Sequence, residues 1–184
     1  GISLDALHLA VVTQPVKALM VVPTLSNPLG SCMPQPERRR LAQAYGERAG
    51  VRLLLLDENR QFAGGLNAGA AAALATGAER LLLLNNDTVL HTAALGSLVE
   101  RAEELRAAGK TAVLAPKILY ASAPSTVWSA GGSLRWPWLE RDHIGMGDED
   151  TAHDTAQEVA WASGCALFCS TQVADLIGAF DERY

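Results

Sequence analysis

Three observations predict an α/β fold: a mostly parallel open sheet with helices on both faces, and a smaller mixed β region in the C-terminal half. Short, continuous apolar runs alternate with amphipathic or Ala-rich segments through residues 1–110. Those runs show no polar alternation, the pattern of parallel strands covered on both faces. Over residues 111–184 the long helical segments give way to short strand-like runs joined by loops. Together they describe one domain of two lobes, built in its first part from βαβ units.

Residues 4–12 read as an amphipathic helix, ended by Gln14-Pro15, and 18–22 as a buried strand. Asn27-Pro28 and Leu29-Gly30 mark a loop. Pro36 suits a first helical turn, after which Leu41, Ala44 and Tyr45 form an apolar stripe ending near Gly50. Residues 51–56 form a second strand. Residues 66–76 form an Ala-rich helix closed by Gly77, whose small side chains would let it lie close on a sheet. Residues 80–84 are a third strand. Leu95, Leu98, Val99, Ala102 and Leu105 recur at helical spacing, so 91–108 is a helix with one buried face. In the second half, 112–120, 126–129, 133–136 and 158–169 read as strands. The acidic, polar stretch 141–157 reads as a mobile surface loop.

Composition narrows the function classes. The chain has 184 residues, 49% hydrophobic, enough for one sizeable core. Its net charge of −5 argues against nucleic acid as the main partner. Cys32, Cys165 and Cys169 contain no CxxC pair, a poor basis for a zinc site or a disulfide framework and one that suits a reducing compartment. No apolar run reaches transmembrane length, and the start lacks the basic flank of a signal peptide. The expectation is a cytoplasmic protein, peripheral at most to the inner face of the membrane.

In an open α/β sheet the ligand crevice lies beyond the carboxyl ends of the strands. Two such ends carry unusual chemistry. The segment from Asn59 to Gly69 comes after the second strand and opens the Ala-rich helix. Gly64 and Gly65 would let backbone come close to a ligand, and free N–H groups at the helix start would receive a diphosphate. A Gly-rich turn selected for tight packing explains the same residues. The second is Asn85-Asn86-Asp87-Thr88, directly after four leucines. A hard divalent cation bridging two phosphates needs few protein oxygens and keeps several waters, so one Asp with a flanking amide suffices. Asp87 capping the next helix is the plainer account of that turn. Phosphate-ready and cation-ready segments at neighbouring strand ends favour the ligand reading of both.

The run 58–88 resembles the inverting family 2 glycosyltransferases, particularly their bacterial rhamnosyltransferase-like branch. The resemblance continues through Ala115-Pro116-Lys117-Ile118, Trp128-Ser129-Ala130-Gly131-Gly132, Ala162-Ser163-Gly164-Cys165-Ala166 and Gly178-Ala179-Phe180-Asp181-Glu182. It implies a GT-A fold and transfer of a sugar, with inversion, from a nucleotide-diphosphate donor to a saccharide or lipid-linked acceptor, with Mg²⁺ or Mn²⁺. Residues 1–110 would then be the nucleotide-sugar-binding half and 111–184 the acceptor-side half. By the same resemblance Asp87 is the metal-binding acid, with Asn85 and Asn86 beside it. Asn59, Gly64, Gly65, Asn67 and Gly69 match the donor-side segment, and Trp128, Gly164 and Cys165 lie on the acceptor side.

The departures point to specific losses. Gln61 stands where the family has Gly, and Leu66 where it has Asn. Thr24 occupies the place of the Asp that binds the base; its hydroxyl can hydrogen-bond an imide but forfeits a charge-assisted bond. The resemblance further implies that the family's first strand precedes Gly1 and that its Glu-Asp base motif lies past Tyr184, leaving the matched domain incomplete. Asp181 and Glu182 are the acids at family-matched positions near the acceptor, where a turn that positions the downstream segment competes with a catalytic role. Trp136, Trp138 and Trp161, like Trp128, could stack on sugar rings, with core packing as the plainer account, and His8, His91, His143 and His153 show no metal-ligand spacing. Cys165, read as part of an apolar strand, is small core filling. Two other classes stay open: a catalytically silent GT-A-like module that binds a nucleotide or a protein partner, and a nucleotidyltransferase, the latter weakened by the lack of a Gly-rich signature with a basic residue near the start.

Overall fold

A computed structural model of the chain describes residues 54, 56, 58, 60–85 and 88–183. The expected elements at 4–12, 18–22 and 36–50, the strand at 51–56 apart from Leu54 and Leu56, and Cys32 lie outside the described residues.

Helix α1, Gln61–Leu74, begins five residues earlier than the Ala-rich pattern predicts. Its four consecutive alanines after Gly69 favour helix strongly, and the two glycines near its start are carried along with them. The chain leaves α1 through Gly77 at φ 75°, a left-handed exit that glycine takes without a Cβ penalty. Strand β1, Arg80–Leu84, comes next as expected. Helix α2, Ala94–Ala107, buries Leu98 and half-buries Val99 and Ala102 within the predicted stripe. His91 lies just ahead of it, its Nδ1 accepting a hydrogen bond from the Ala93 backbone N–H at 3.2 Å.

The C-terminal half is all short elements. Strand β2 is Ile118–Tyr120, β3 is Ala123–Ser129, β4 is Gly132–Arg135 and β5 is Glu140–His143. A 3₁₀ turn spans Asp150–His153, β6 is Ala166–Ser170, and helix α3 is Thr171–Ile177, capped by the Ser170 hydroxyl accepting from the Val173 N–H at 3.3 Å.

Among the described residues three antiparallel pairs form: β1 with β6, β2 with β3, and β4 with β5. The β1–β6 register runs from Arg80 opposite Ser170 to Leu84 opposite Ala166. The parallel partners expected for β1, at 18–22 and 51–56, fall outside this description. On the far side of β6, Leu114 and Phe168 exchange two backbone hydrogen bonds of 2.8 Å. The expected strand 112–120 is therefore split into a bridge and β2, because Pro116 has no N–H to donate to a ladder. The expected strand 158–169 also shortens to β6, with Trp161 contributing only a bridge to Gly132.

The core sits where α1 and α3 meet the β1–β6 pair. Ala73, Ala78, Leu81, Cys169 and Val173 are buried together, with Ala70 and Ala174 packed against them. Small residues on both helices let the layers approach closely, as the Ala-rich pattern of α1 suggests. The stretch 141–157 is not a plain loop. It begins inside β5, and the Lys117 ammonium ties its 3₁₀ turn down, reaching the Asp150 carbonyl and the Asp154 carboxylate at 2.7 Å each. Burial works to lower the Lys117 pKa, but the hydrogen bonds it donates to Asp150 and Asp154 outweigh this and hold the pKa above the usual lysine value. Among the described residues no helix is long and apolar enough to cross a membrane.

Candidate functional site

An open cleft of about 500 Å³ is lined by Trp128, Arg141, His143 and the run 161–164. Strand β3 supplies Trp128, and β5 supplies Arg141 and His143, two residues apart and so on one face. The His143 imidazole lies between two indoles. Its centroid is 4.6 Å from Trp128 at a tilt of 48°, and 4.7 Å from Trp161 in an edge arrangement at 76°. Trp161 is itself fixed: its Nε1–H donates to the Ser133 carbonyl at 3.1 Å.

The tertiary packing accounts for the Gly131-Gly132 pair. A Cβ on Gly132 would lie 1.9 Å from the Trp161 ring, so the indole occupies the space that any other residue would need. Gly131 adopts φ 102°, and the buried Ser129 hydroxyl closes the turn by donating to the Gly131 carbonyl at 3.0 Å. The Nδ1 of His143 is buried with no hydrogen-bond partner among the described residues. A buried polar atom left unpaired is costly, which makes this nitrogen a point where a ligand could repay the loss after a small ring movement. The Arg141 guanidinium, at the exposed side, has no counter-ion among the described residues.

Three of the sequence-predicted segments meet at the rim of this cleft. The backbone N–H of Asn85, just past the end of β1, donates to the Cys165 carbonyl at 2.9 Å. Cys165 in turn donates its N–H to the Ser163 hydroxyl at 3.3 Å. The Asn85 turn is thus stitched to the run 163–165, whose Ser163 and Gly164 line the cleft. From the other side, the Phe62 ring in the first turn of α1 comes within 3.2 Å of where a Gly164 Cβ would stand. Cys165 sits in the turn before β6, half-buried, rather than inside a strand; among the described residues the buried thiol is Cys169, and burial pushes its pKa up.

The donor-segment residues take individual places. Because α1 starts at Gln61, Gly64 and Gly65 lie inside its first turns and not ahead of it. A Cβ on Gly64 would meet the Arg60 Cβ at 2.7 Å and a Glu182 carboxylate oxygen at 3.2 Å, whereas Gly65 faces open space. Gly69 is half-buried at mid-helix. Asn67 is a clip: its amide NH₂ donates to the Phe180 carbonyl and to Glu182 Oε1, both at 2.9 Å, and its Oδ1 accepts from the Phe180 N–H at 2.8 Å. Residues 113 and 115 positions away in sequence are held to α1 by this one side chain.

The two candidate acids are both engaged. Glu182 is bound by Asn67. Asp181 accepts from the Arg183 guanidinium at 2.5–3.1 Å and from the Arg183 backbone N–H at 3.0 Å. The Arg183 side chain first, and its N–H second, hold the Asp181 carboxyl below its ordinary range, a direction that weakens it as a proton acceptor.

Thr24, Asn59, Asn86 and Asp87 lie outside the described residues. Asn85 is half-buried and its side-chain amide has no hydrogen-bond partner among the described residues. By residue type alone, an Asn amide oxygen and an Asp carboxylate are the oxygen donors that Mg²⁺ or Mn²⁺ prefers. Among the described residues no cluster of three or more His, Cys, Asp or Glu is placed to hold a metal.

Sequence reasoning passes over Arg141, weighs His143 only as a histidine without metal-ligand spacing, and takes Trp161 only as one of four tryptophans that could stack on sugar rings or fill the core. The signal for the first two is their two-residue spacing in a strand-like stretch; for Trp161 it is the pair of glycines that its ring needs. No family model, no curated protein and no solved structure matches this chain.

Proposed function

We propose that the chain is the nucleotide-sugar and acceptor region of an inverting glycosyltransferase with a GT-A-type sheet. The observation that carries this is the Asn85–Cys165 hydrogen bond. It joins the turn holding the candidate metal acid to the edge of an aromatic, hydroxyl- and guanidinium-lined cleft. A donor diphosphate at one and an acceptor sugar in the other would be neighbours, the proximity that group transfer needs.

In this scheme Asp87 and the Asn85 amide oxygen would hold Mg²⁺ or Mn²⁺, which would supply charge stabilisation for a departing diphosphate. The Trp128 and Trp161 rings offer flat apolar surface to the C–H faces of a saccharide or lipid-linked acceptor. His143, Ser163 and Arg141 supply hydrogen bonds to its polar groups. Asp181 and Glu182 act as a brace: Asn67 and Arg183 occupy their carboxylates, and the segment they anchor packs on the first turns of α1. The expected location is cytoplasmic, peripheral to the inner face of the membrane.

Isothermal titration of UDP, dTDP and GDP, with and without Mn²⁺, tests this directly. At least one nucleotide should bind only with the metal, and Asp87→Asn should remove that dependence. Equal binding with and without metal, or none at all, would sink the proposal. The occupied state of Asp181 and Glu182 favours a second reading, a GT-A-like module that binds nucleotide without turnover. Metal-dependent binding with no release of sugar from any nucleotide sugar would select it.

A further inference from the structure

The β4–β5 hairpin segregates its chemistry by face. Cross-strand partners share a face, so the register puts Gly132, Leu134, Arg141 and His143 on one side and Ser133, Arg135, Glu140 and Asp142 on the other. On the second side Arg135 is matched by two carboxylates, Glu140 and Asp142. Arg135 donates to Asp142 at 2.5 and 2.9 Å and lies 4.0 Å from Glu140. On the first side Arg141 has no counter-ion among the described residues, and Leu134 beside it is exposed.

The tip of the hairpin is Trp136-Pro137-Trp138-Leu139, four residues without a charge. Trp136 is 82% exposed, Trp138 80% and Leu139 57%. Neither tip indole N–H has a hydrogen-bond partner among the described residues. Two neighbouring indoles held in water leave a large apolar surface uncovered. An environment that is apolar at one end and wet at the other suits them, as at the boundary between lipid headgroups and acyl chains. Arg141 is the second residue of β5, directly behind the turn that ends at Leu139, close enough to the tip to meet a headgroup phosphate when the indoles enter the interface.

We propose that the β4–β5 hairpin is a phospholipid-bilayer contact, with Trp136 and Trp138 entering the interface and Arg141 engaging a headgroup phosphate. This stands independently of the glycosyltransferase assignment. Because Arg141 and His143 also line the cleft, such a contact would bring the cleft to the bilayer surface. The chain's net charge of −5 opposes long-range attraction to an anionic surface, so the indoles should dominate and salt should matter little.

The test is co-sedimentation of the 184-residue chain with vesicles of phosphatidylcholine containing phosphatidylglycerol, read alongside quenching of tryptophan emission by brominated phosphatidylcholine. The chain should sediment with the vesicles and its emission should be quenched. The double variant Trp136→Ser, Trp138→Ser should partition at least about tenfold more weakly and lose the quenching. Its melting temperature should be unchanged, since both side chains are exposed. Arg141→Gln should weaken partitioning by about fivefold. Absence of sedimentation, or equal partitioning of parent and double variant, overturns the proposal. So does a concentration-dependent dimer that the double variant abolishes while vesicles bind neither form, because the hairpin would then be covered by a second copy.

Discussion

The region around β1 and β6 and the region around β3, β4 and β5 are built on different principles. The first packs small aliphatic side chains between a two-stranded ladder and two helices: Ala73, Ala78, Leu81, Cys169 and Val173 are buried together without a charged group among them. The second packs aromatic rings against backbone. Trp161 lies on Gly132, His143 lies between Trp128 and Trp161, and a buried serine closes the turn. The first is a generic apolar interior whose members could be exchanged for others of similar volume. The second depends on a missing Cβ and on ring orientation, so it is intolerant of change and leaves an open cleft.

That contrast can be broken by three substitutions. Leu81→Ala should cost about 3 kcal/mol, as transfer and cavity terms add at a buried core leucine. Urea unfolding should show a lower midpoint, while the near-ultraviolet circular dichroism of the cleft aromatics stays as in the parent. Gly132→Ala should cost about 2 kcal/mol by overpacking. The near-ultraviolet signal should change as well, because the Trp161 ring must move. An unaltered spectrum with this variant would show that the indole does not rest where the packing places it. Asn67→Ala removes three hydrogen bonds that join α1 to Phe180 and Glu182 and should cost about 1 kcal/mol. Its clearest effect should be faster proteolysis after residue 177 with little change in the rest of the chain. Unchanged cleavage would mean that the segment 178–183 is held by something other than this clip.

Legibility in the sequence shows the same divide. Strand β1 and helix α2 are readable because four consecutive leucines and an apolar residue every three to four positions leave few alternatives. The Trp128-Ser129-Ala130-Gly131-Gly132 run and the Ala162-Ser163-Gly164-Cys165-Ala166 run stand out as patterns, but nothing in them says that they form two walls of one cleft. Gly64 and Asn67 show the limit most plainly. Both read as parts of a diphosphate-binding helix start, yet Gly64 makes room for Glu182, and Asn67 spends its whole amide on Phe180 and Glu182. Nothing local in residues 61–69 announces a partner more than a hundred positions away.

By itself, the sequence determined the helical character of α1 and α2, the apolar character of β1 and of one face of α2, and the residue types available to the Asn85-Asn86-Asp87 turn. These depend on side-chain spacing and on residue type, which are local properties. Only the tertiary structure decided that β6 returns antiparallel to β1, that Asn85 hydrogen-bonds Cys165 at the cleft rim, and that Arg141 and His143 face that cleft together. Each is a contact between distant segments, selected by which surfaces pack and which backbone groups pair once the chain has closed on itself.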